Sequence, residues 1–109
     1  MTCYRKFDTT SLRDMPGRQS CVLLDADTGC VGECLAGVSV YHAREFAVPE
    51  AHDFQEGFYV IEGEGFALVG GEEFPVAAGT SFLVPAGQPH AIRRKDGSDG
   101  VKVFWFHSE

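Results

Sequence analysis

The sequence is short of positive charge, and it contains no long apolar run. Lysine and arginine total 9 against 16 acidic residues, which gives a formal net charge of −7. This balance excludes nucleic acid and anionic membranes as main partners, because both attract proteins through positive charge. No stretch approaches the roughly 20 apolar residues of a membrane-spanning helix, and the N-terminus lacks the apolar core of a signal peptide. We therefore expect a cytoplasmic protein whose partner is a small molecule.

Segments with helical periodicity are also missing. Instead, β-branched and aromatic runs alternate with turn sequences, and the 109 residues include 13 glycines and 5 prolines. Short strands separated by frequent turns are typical of a β-sandwich or barrel. We expect one all-β domain over residues 20–109, preceded by an arm with at most an edge strand at residues 1–19. The predicted strands are residues 20–24, 34–48, 57–61, 65–69, 73–75, 81–84, 90–94 and 101–107.

Cysteines are too few, and too unevenly spaced, for a structural zinc site built from two close pairs. Cys30 and Cys34 form one C-x3-C pair, whereas Cys3 and Cys21 stand alone. We expect reduced and partly buried thiols. A redox or metal role for the pair is the alternative.

Three segments are apolar on both faces, namely residues 58–61, 82–84 and 103–106. A strand with one solvated face alternates between apolar and polar residues, so both faces of these strands must be covered. In a domain of this size a second copy of the chain is the expected cover, which predicts a homodimer. The N-terminal arm is the alternative cover.

Two stretches carry acids and histidines at spacings that suggest a metal site. PEAHDFQEG, residues 49–57, contains Glu50, His52 and Glu56, and GTSFLVPAGQPH, residues 79–90, ends at His90. Residues 50 and 52 would leave the same face of a strand, Glu56 would enter the neighbouring strand after a turn, and His90 would come from a third. Unpaired acids inside a barrel would be costly to bury without a cation.

The two stretches resemble the two motifs of the cupin superfamily. Residues 79–90 match G-x5-P-x-G-x2-H at every fixed position, and residues 50–63 read E-x-H-x3-E-x6-G where the family has H-x-H-x3-4-E-x6-G. The resemblance covers about residues 37–107 and implies a cupin double-stranded β-helix, that is, a jelly-roll barrel. It also implies a divalent transition metal (Fe, Mn, Zn or Ni), with a ligand set drawn from Glu50, His52, Glu56 and His90.

Glu50 stands where the family usually has its first histidine, and its role stays open. Without it, the remaining ligands form the two-histidine, one-carboxylate set of non-haem iron oxygenases. Glu50 is then a fourth ligand, a catalytic base whose pKa is raised by burial, or a solvated bystander. Gln55 is an alternative oxygen ligand if the turn is shifted by one residue.

Other pocket residues follow from strand alternation. Arg44 or Arg94 pointing inward would hold a substrate carboxylate, and we take Glu50 and Arg94 as the candidate catalytic residues. His42 and His107 are expected at the surface or the edge of the core rather than as ligands. Tyr59 is expected to pack rather than to act as an acid.

The resemblance implies a small metal-dependent enzyme that acts on a polar metabolite such as a carboxylate or a sugar acid. Oxygenation of the substrate and lyase or isomerase chemistry fit the residues equally well. The alternative is a binding or sensor cupin that holds a small molecule, with or without a metal, and does not catalyse. The fold alone cannot name the substrate, because one barrel hosts many chemistries.

Overall fold

The computed structural model describes residues 2–109, which form eight β-strands and two short 3-10 segments, Thr9–Ser11 and Ala26–Thr28. The predicted all-β fold is confirmed. Within the described residues, no helix is long and apolar enough to span a membrane. The strands are β1 (Arg13–Met15), β2 (Arg18–Leu24), β3 (Leu35–Tyr41), β4 (Gln55–Val69), β5 (Glu72–Ala77), β6 (Ser81–Val84), β7 (His90–Arg94) and β8 (Val101–Ser108).

Two antiparallel sheets share the long strand β4. The first sheet contains β1, β2, β3, β8, the first half of β4, and β6. The second contains β5, the second half of β4, and β7. Gly63 lies where β4 passes from one sheet to the other, with a φ of +95° that favours glycine and with the Gly100 backbone where a Cβ would lie. One strand therefore contributes to both walls of the barrel.

The strand boundaries differ from the sequence prediction at three places. β4 is continuous where two strands, residues 57–61 and 65–69, were expected, because the chain bends at Gly63 without leaving the sheets. β3 ends at Tyr41 rather than at residue 48. Residues 42–54 instead form a loop whose only bridge joins Glu50 to His90. In the N-terminal segment, β1 pairs at the sheet edge with β2, which begins at Arg18.

The core lies between the two sheets and follows strict alternation along β8. Val101, Val103 and Trp105 are buried, whereas the residues between them face outward. Cross-strand pairing sets Trp105 opposite Phe58 and Val103 opposite Val60, so β4 and β8 bury their side chains against one another. The buried cluster contains Tyr41, Phe58, Val60, Ala67, Val76, Val84, Ile92, Val101, Val103 and Trp105.

The outer face of the first sheet is covered by the N-terminal segment over β2 and β3. Ala36 and Val38 alternate with inward-facing residues of β3, yet they are only 4% and 5% exposed. Arg5 donates hydrogen bonds to Asp25 beyond the end of β2, and the Phe7 ring lies 4.8 Å from Nζ of Lys102 on β8. The N-terminal segment therefore contacts the chain on both sides of β3.

The neighbouring part of the same face, here called the bare outer face, is exposed to solvent. Strands β8, β4 and β6 lie side by side there, with Phe106 opposite Gly57 and Gly57 opposite Leu83. Apolar side chains on these strands are between 41% and 51% exposed: Tyr59, Ile61, Leu83 and Phe106. The exposed part carries side chains of the three doubly apolar segments, whereas the contacts of the N-terminal segment lie at Asp25 and Lys102.

The cysteines differ from the expectation of reduced thiols at one pair. Cys30 and Cys34 are joined by a disulfide in the loop between β2 and β3, with their Cα atoms 5.3 Å apart. The loop reverses through Gly32, whose φ is +63°. Cys3 and Cys21 are free, the first exposed and the second buried.

Replacing Val60 by alanine tests the central contact between β4 and β8, since Val60 is 0% exposed. We expect Val60→Ala to lower the free energy of unfolding by about 2–3 kcal/mol, from ~0.8 kcal/mol per lost methylene plus the cavity left behind. Urea denaturation followed by the fluorescence of the single tryptophan measures it. Val31→Ala is the matched control at 84% exposure, and an equal loss in both variants would contradict the assigned core.

Candidate metal centre

Three side chains from separate parts of the chain meet at one end of the barrel interior. His52 comes from the loop between β3 and β4, Glu56 from the start of β4, and His90 from the first position of β7. Their potential ligand atoms all lie within 4.8 Å of one another. Glu56 belongs to the first sheet at this point and His90 to the second, so the group spans the interior.

The Glu56 carboxylate is the centre of this group. Nε2 of His90 lies 3.2 Å, and Nε2 of His52 lies 3.8 Å, from the Oε1 atom of Glu56. Glu56 and His90 are buried, whereas the side chain of His52 is 30% exposed. Oε1 is buried and has no hydrogen-bond partner among the described residues. A buried oxygen of this kind is uncommon unless something binds it.

A third histidine, His107, binds the other oxygen of the carboxylate. It lies directly opposite Glu56 in the pairing of β8 with β4, and its Nε2 atom donates to Oε2 of Glu56 over 3.1 Å. The sequence pattern predicts His107 at the surface or the edge of the core. Its position two residues after Trp105, on the same inward face, is the signal that could have located it.

Contacts around His52 hold the loop in place. The Phe54 ring stacks on the His52 ring, with centroids 4.9 Å apart, and it lies 4.2 Å from the ring of His107. The backbone N–H of Gly87 donates to the carbonyl oxygen of His52 over 2.7 Å. Gly87 has a φ of +82°, a conformation that favours glycine. This hydrogen bond ties the turn of the second sequence motif to the first.

Electrostatics keep the carboxylate charged and its hydrogen-bond partner neutral. Burial raises the pKa of Glu56, but the contact with His90 and the charges of the three histidines outweigh it, so this pKa lies below its usual value. Burial also lowers the pKa of His107, by more than the nearby Glu56 raises it. A charged carboxylate and neutral imidazoles are the forms that bind metal ions.

The group opens into a cavity of about 250 Å³. Tyr41 lines it, and its pKa is raised far above the usual value by burial first and then by the charges of Glu56 and Glu50, against the effect of Arg18. The phenol therefore stays neutral. The Nε1 atom of Trp105, another lining residue, is buried without a hydrogen-bond partner among the described residues.

Glu50 lies in the same cavity but points to a different partner. Its backbone forms a two-hydrogen-bond bridge with His90, while its Oε2 atom accepts a hydrogen bond from Nη1 of Arg18 over 2.7 Å. It is not a member of the three-residue group. The loop, rather than the expected strand, places residues 50 and 52 here, so they do not share a strand face.

The remaining candidates lie elsewhere. Nε2 of Gln55 donates to the carbonyl oxygen of Glu109 over 2.9 Å. Arg44 forms an exposed ion pair with Asp96. Arg94 donates to the backbone oxygens of His42 and Ser98, and neither arginine lines the cavity.

The donor set fits a divalent transition metal. Two imidazole nitrogens and one carboxylate oxygen are ligands that Fe, Mn and Zn accept, and three protein ligands leave coordination positions open. A cation between them would satisfy Oε1 of Glu56 and offset the cost of burying its charge. The group formed by His52, Glu56 and His90 could therefore hold a metal ion.

Comparison with known proteins agrees with this architecture. A family model described as the cupin domain matches residues 37–107. The plu4264 protein from Photorhabdus luminescens superimposes with a TM-score of 0.82 at 19% identity, over 100% of this chain and 89% of that one. Ectoine synthase from P. lautus gives a TM-score of 0.74 at 22% identity, over 93% and 70%. No curated protein sequence matches the chain significantly.

Another similar structure is the Fe(II) form of HppE in complex with a substrate. It superimposes with a TM-score of 0.76 at 20% identity. The match covers 88% of this chain and 53% of HppE. At these identities the likeness establishes the fold alone.

Replacing His107 tests whether its hydrogen bond to Glu56 stabilises the protein. We expect His107→Ala to lower the free energy of unfolding of the metal-free protein by about 1–3 kcal/mol, because Oε2 of Glu56 loses its donor in a buried site. Urea denaturation of protein treated with chelator measures this change. His107→Gln, which keeps a donor, should recover part of it.

His42→Ala is the control for loss of a histidine, since the side chain of His42 is exposed and makes one hydrogen bond, to Gln19. It should change the unfolding free energy by no more than about 0.5 kcal/mol. Equal losses in the two alanine variants would show that His107 does not hold Glu56.

Proposed function

The chain belongs to the cupin family, and we propose that it is a metal-dependent enzyme acting on a small polar metabolite such as a carboxylate or a sugar acid. The observation that carries the proposal is the Oε1 atom of Glu56, which is buried without a hydrogen-bond partner and faces two imidazole nitrogens. A purely structural carboxylate would be expected to have both oxygens satisfied.

The proposed ligands are His52, Glu56 and His90. When bound there, a divalent metal supplies Lewis acidity toward a substrate carbonyl or, as iron, the capacity to activate dioxygen. His107 keeps Oε2 of Glu56 engaged, which leaves Oε1 as the ligand atom. His52, which is the most exposed of the three, lies on the side from which a small molecule enters.

The walls of the cavity support binding of a polar molecule. Tyr41 stays protonated and offers a hydroxyl donor, and the Nε1 atom of Trp105 offers an N–H group that the protein itself does not use. A volume of about 250 Å³ suits a small metabolite rather than a polymer. Similar folds support an enzymatic role, since ectoine synthase is an enzyme by name and HppE is described with Fe(II) and a substrate.

Metal content is the first measurement. We expect protein purified without added metal to carry Fe, Mn, Zn or Ni at close to one ion per chain, measured by inductively coupled plasma mass spectrometry. His52→Ala and His90→Ala should each lower the metal affinity by at least about tenfold, because each removes a ligand, a larger loss than for an outer partner.

The control is His42→Ala, which removes a histidine outside the cavity and should retain the metal. Wild-type protein that holds no metal, and gains no thermal stability from added Mn(II), Fe(II) or Zn(II), would overturn the metal-dependent function. Oxygen consumption with a panel of small acids then separates oxygenation from lyase or isomerase chemistry. Saturable binding of an acid without turnover would instead support a sensor.

We also propose that the bare outer face of β8, β4 and β6 is the contact between two copies. A patch on adjacent strands is formed by Tyr59, Ile61, Leu83 and Phe106, and a two-fold axis would pack this patch against its copy on the second chain.

We expect a dimer in sedimentation experiments and a monomer for Leu83→Glu. Val31→Glu, at a more exposed position (84%) in the loop between β2 and β3, should stay dimeric, and a monomeric wild type would refute the contact.

A further inference from the structure

Among residues 2–109, Arg18 is the one permanent cation that lines the cavity. It lies at the start of β2, opposite Tyr41 of β3, and its guanidinium carbon lies 6.0 Å from the centre of the Tyr41 ring. The side chain is only 15% exposed. An arginine held this far inside a small barrel needs a reason, because burying its charge is costly unless it is paired.

The pairing that the protein provides is incomplete. The Nη1 atom of Arg18 donates to Oε2 of Glu50 over 2.7 Å and to the Pro16 carbonyl oxygen over 3.3 Å. All the side-chain hydrogen bonds of Arg18 within residues 2–109 leave from Nη1, so the donors on Nη2 and Nε remain available. Guanidinium groups bind carboxylates and phosphates through two parallel donors. Glu50, whose side chain is 43% exposed, accepts a hydrogen bond from Nη1 of the guanidinium and leaves its other donors free.

Charge also favours an anion in this cavity. The lining carries two carboxylates, Glu50 and Glu56, against the guanidinium of Arg18. Counted without the histidines, these three groups leave one negative charge. A divalent metal at the three-residue group would change this to one positive charge, which a singly charged acid would neutralise. Trp105 adds an N–H group without a protein partner.

We propose that Arg18 is the anchor for the anionic group of the substrate, and that Glu50 is its positioning residue rather than a metal ligand or a base. The substrate class is then a small acid whose anionic group lies on Arg18 and whose remaining oxygen atoms face His52 and His90. This deepens the proposed function, on which it rests for the metal. The backbone bridge between Glu50 and His90 fixes the distance between the two subsites.

Binding of small anions tests the proposal. Acetate, lactate and inorganic phosphate are titrated by calorimetry into Mn(II)-loaded protein, with lactamide as the neutral counterpart of lactate. We expect at least one anion to bind, and lactamide not to bind measurably. Arg18→Gln should weaken the binding of that anion by at least about tenfold, which is the effect of losing one charge-assisted hydrogen bond. Affinity for Mn(II) alone should change by less than about threefold, since Arg18 contacts no proposed ligand.

Three further variants separate anchoring from general charge. Arg44→Gln removes an equal charge from an exposed pair with Asp96 and should leave anion binding unchanged. Arg18→Lys should bind with intermediate affinity, because it keeps the charge and loses the fork. Glu50→Gln should tighten anion binding severalfold, since the negative charge that competes for Arg18 is gone while an amide oxygen still accepts its hydrogen bond.

The proposal is overturned if no anion binds, if lactamide binds as well as lactate, or if Arg44→Gln weakens binding as much as Arg18→Gln. Titrating the anions into metal-free wild-type protein and metal-free Arg18→Gln distinguishes failure of the anchor from failure of the metal-dependent function. Loss of anion binding on Arg18→Gln without any metal would support the anchor even if the metal-dependent function fails. If the protein binds metal but the anion affinities do not depend on Arg18, the proposed metal centre stands and the proposed anchor is refuted. Circular dichroism of each variant confirms that it is folded.

Discussion

A single buried carboxylate organises this end of the molecule. Glu56 keeps its charge at low exposure, and three histidines surround it, two facing Oε1 and one bound to Oε2. Removing a charge from water is tolerated only when the surroundings compensate for it. The loop at residues 42–54, the start of β7 and the end of β8 all converge on that atom group. The backbone bridge between Glu50 and His90 joins the loop to β7, and β8 reaches the carboxylate by pairing with β4.

The fold was largely predictable from sequence, because alternation and turn residues are local signals. Val101, Val103 and Trp105 alternate with outward residues as expected, and the register of the two motifs located His52, Glu56 and His90, which the structure brings together. The predicted strand boundaries were wrong where one local signal is compatible with two structures. Gly63 reads as a turn in sequence, but a bend within a paired strand also suits a residue with positive φ.

The rest of the site depends on contacts that no local pattern encodes. Arg18 was assigned to an N-terminal arm, yet it reaches the cavity because β2 pairs with β3 from its first residue. Glu50 was placed on a strand, whereas the loop directs it toward that distant arginine. Arg94 shares a sheet with His90 but donates to backbone oxygens instead. Each depends on long-range register, which is set by the assembled sheets rather than by neighbours in sequence.

Strand β4 has a consequence for the dynamics of the molecule. Because it runs unbroken through both sheets, the two walls that carry Glu56 and His90 cannot separate by a hinge motion at a linker. Opening the interior requires rupture of hydrogen bonds along β4 itself, so the walls form one cooperative unit. Slow amide exchange should therefore extend across both sheets together.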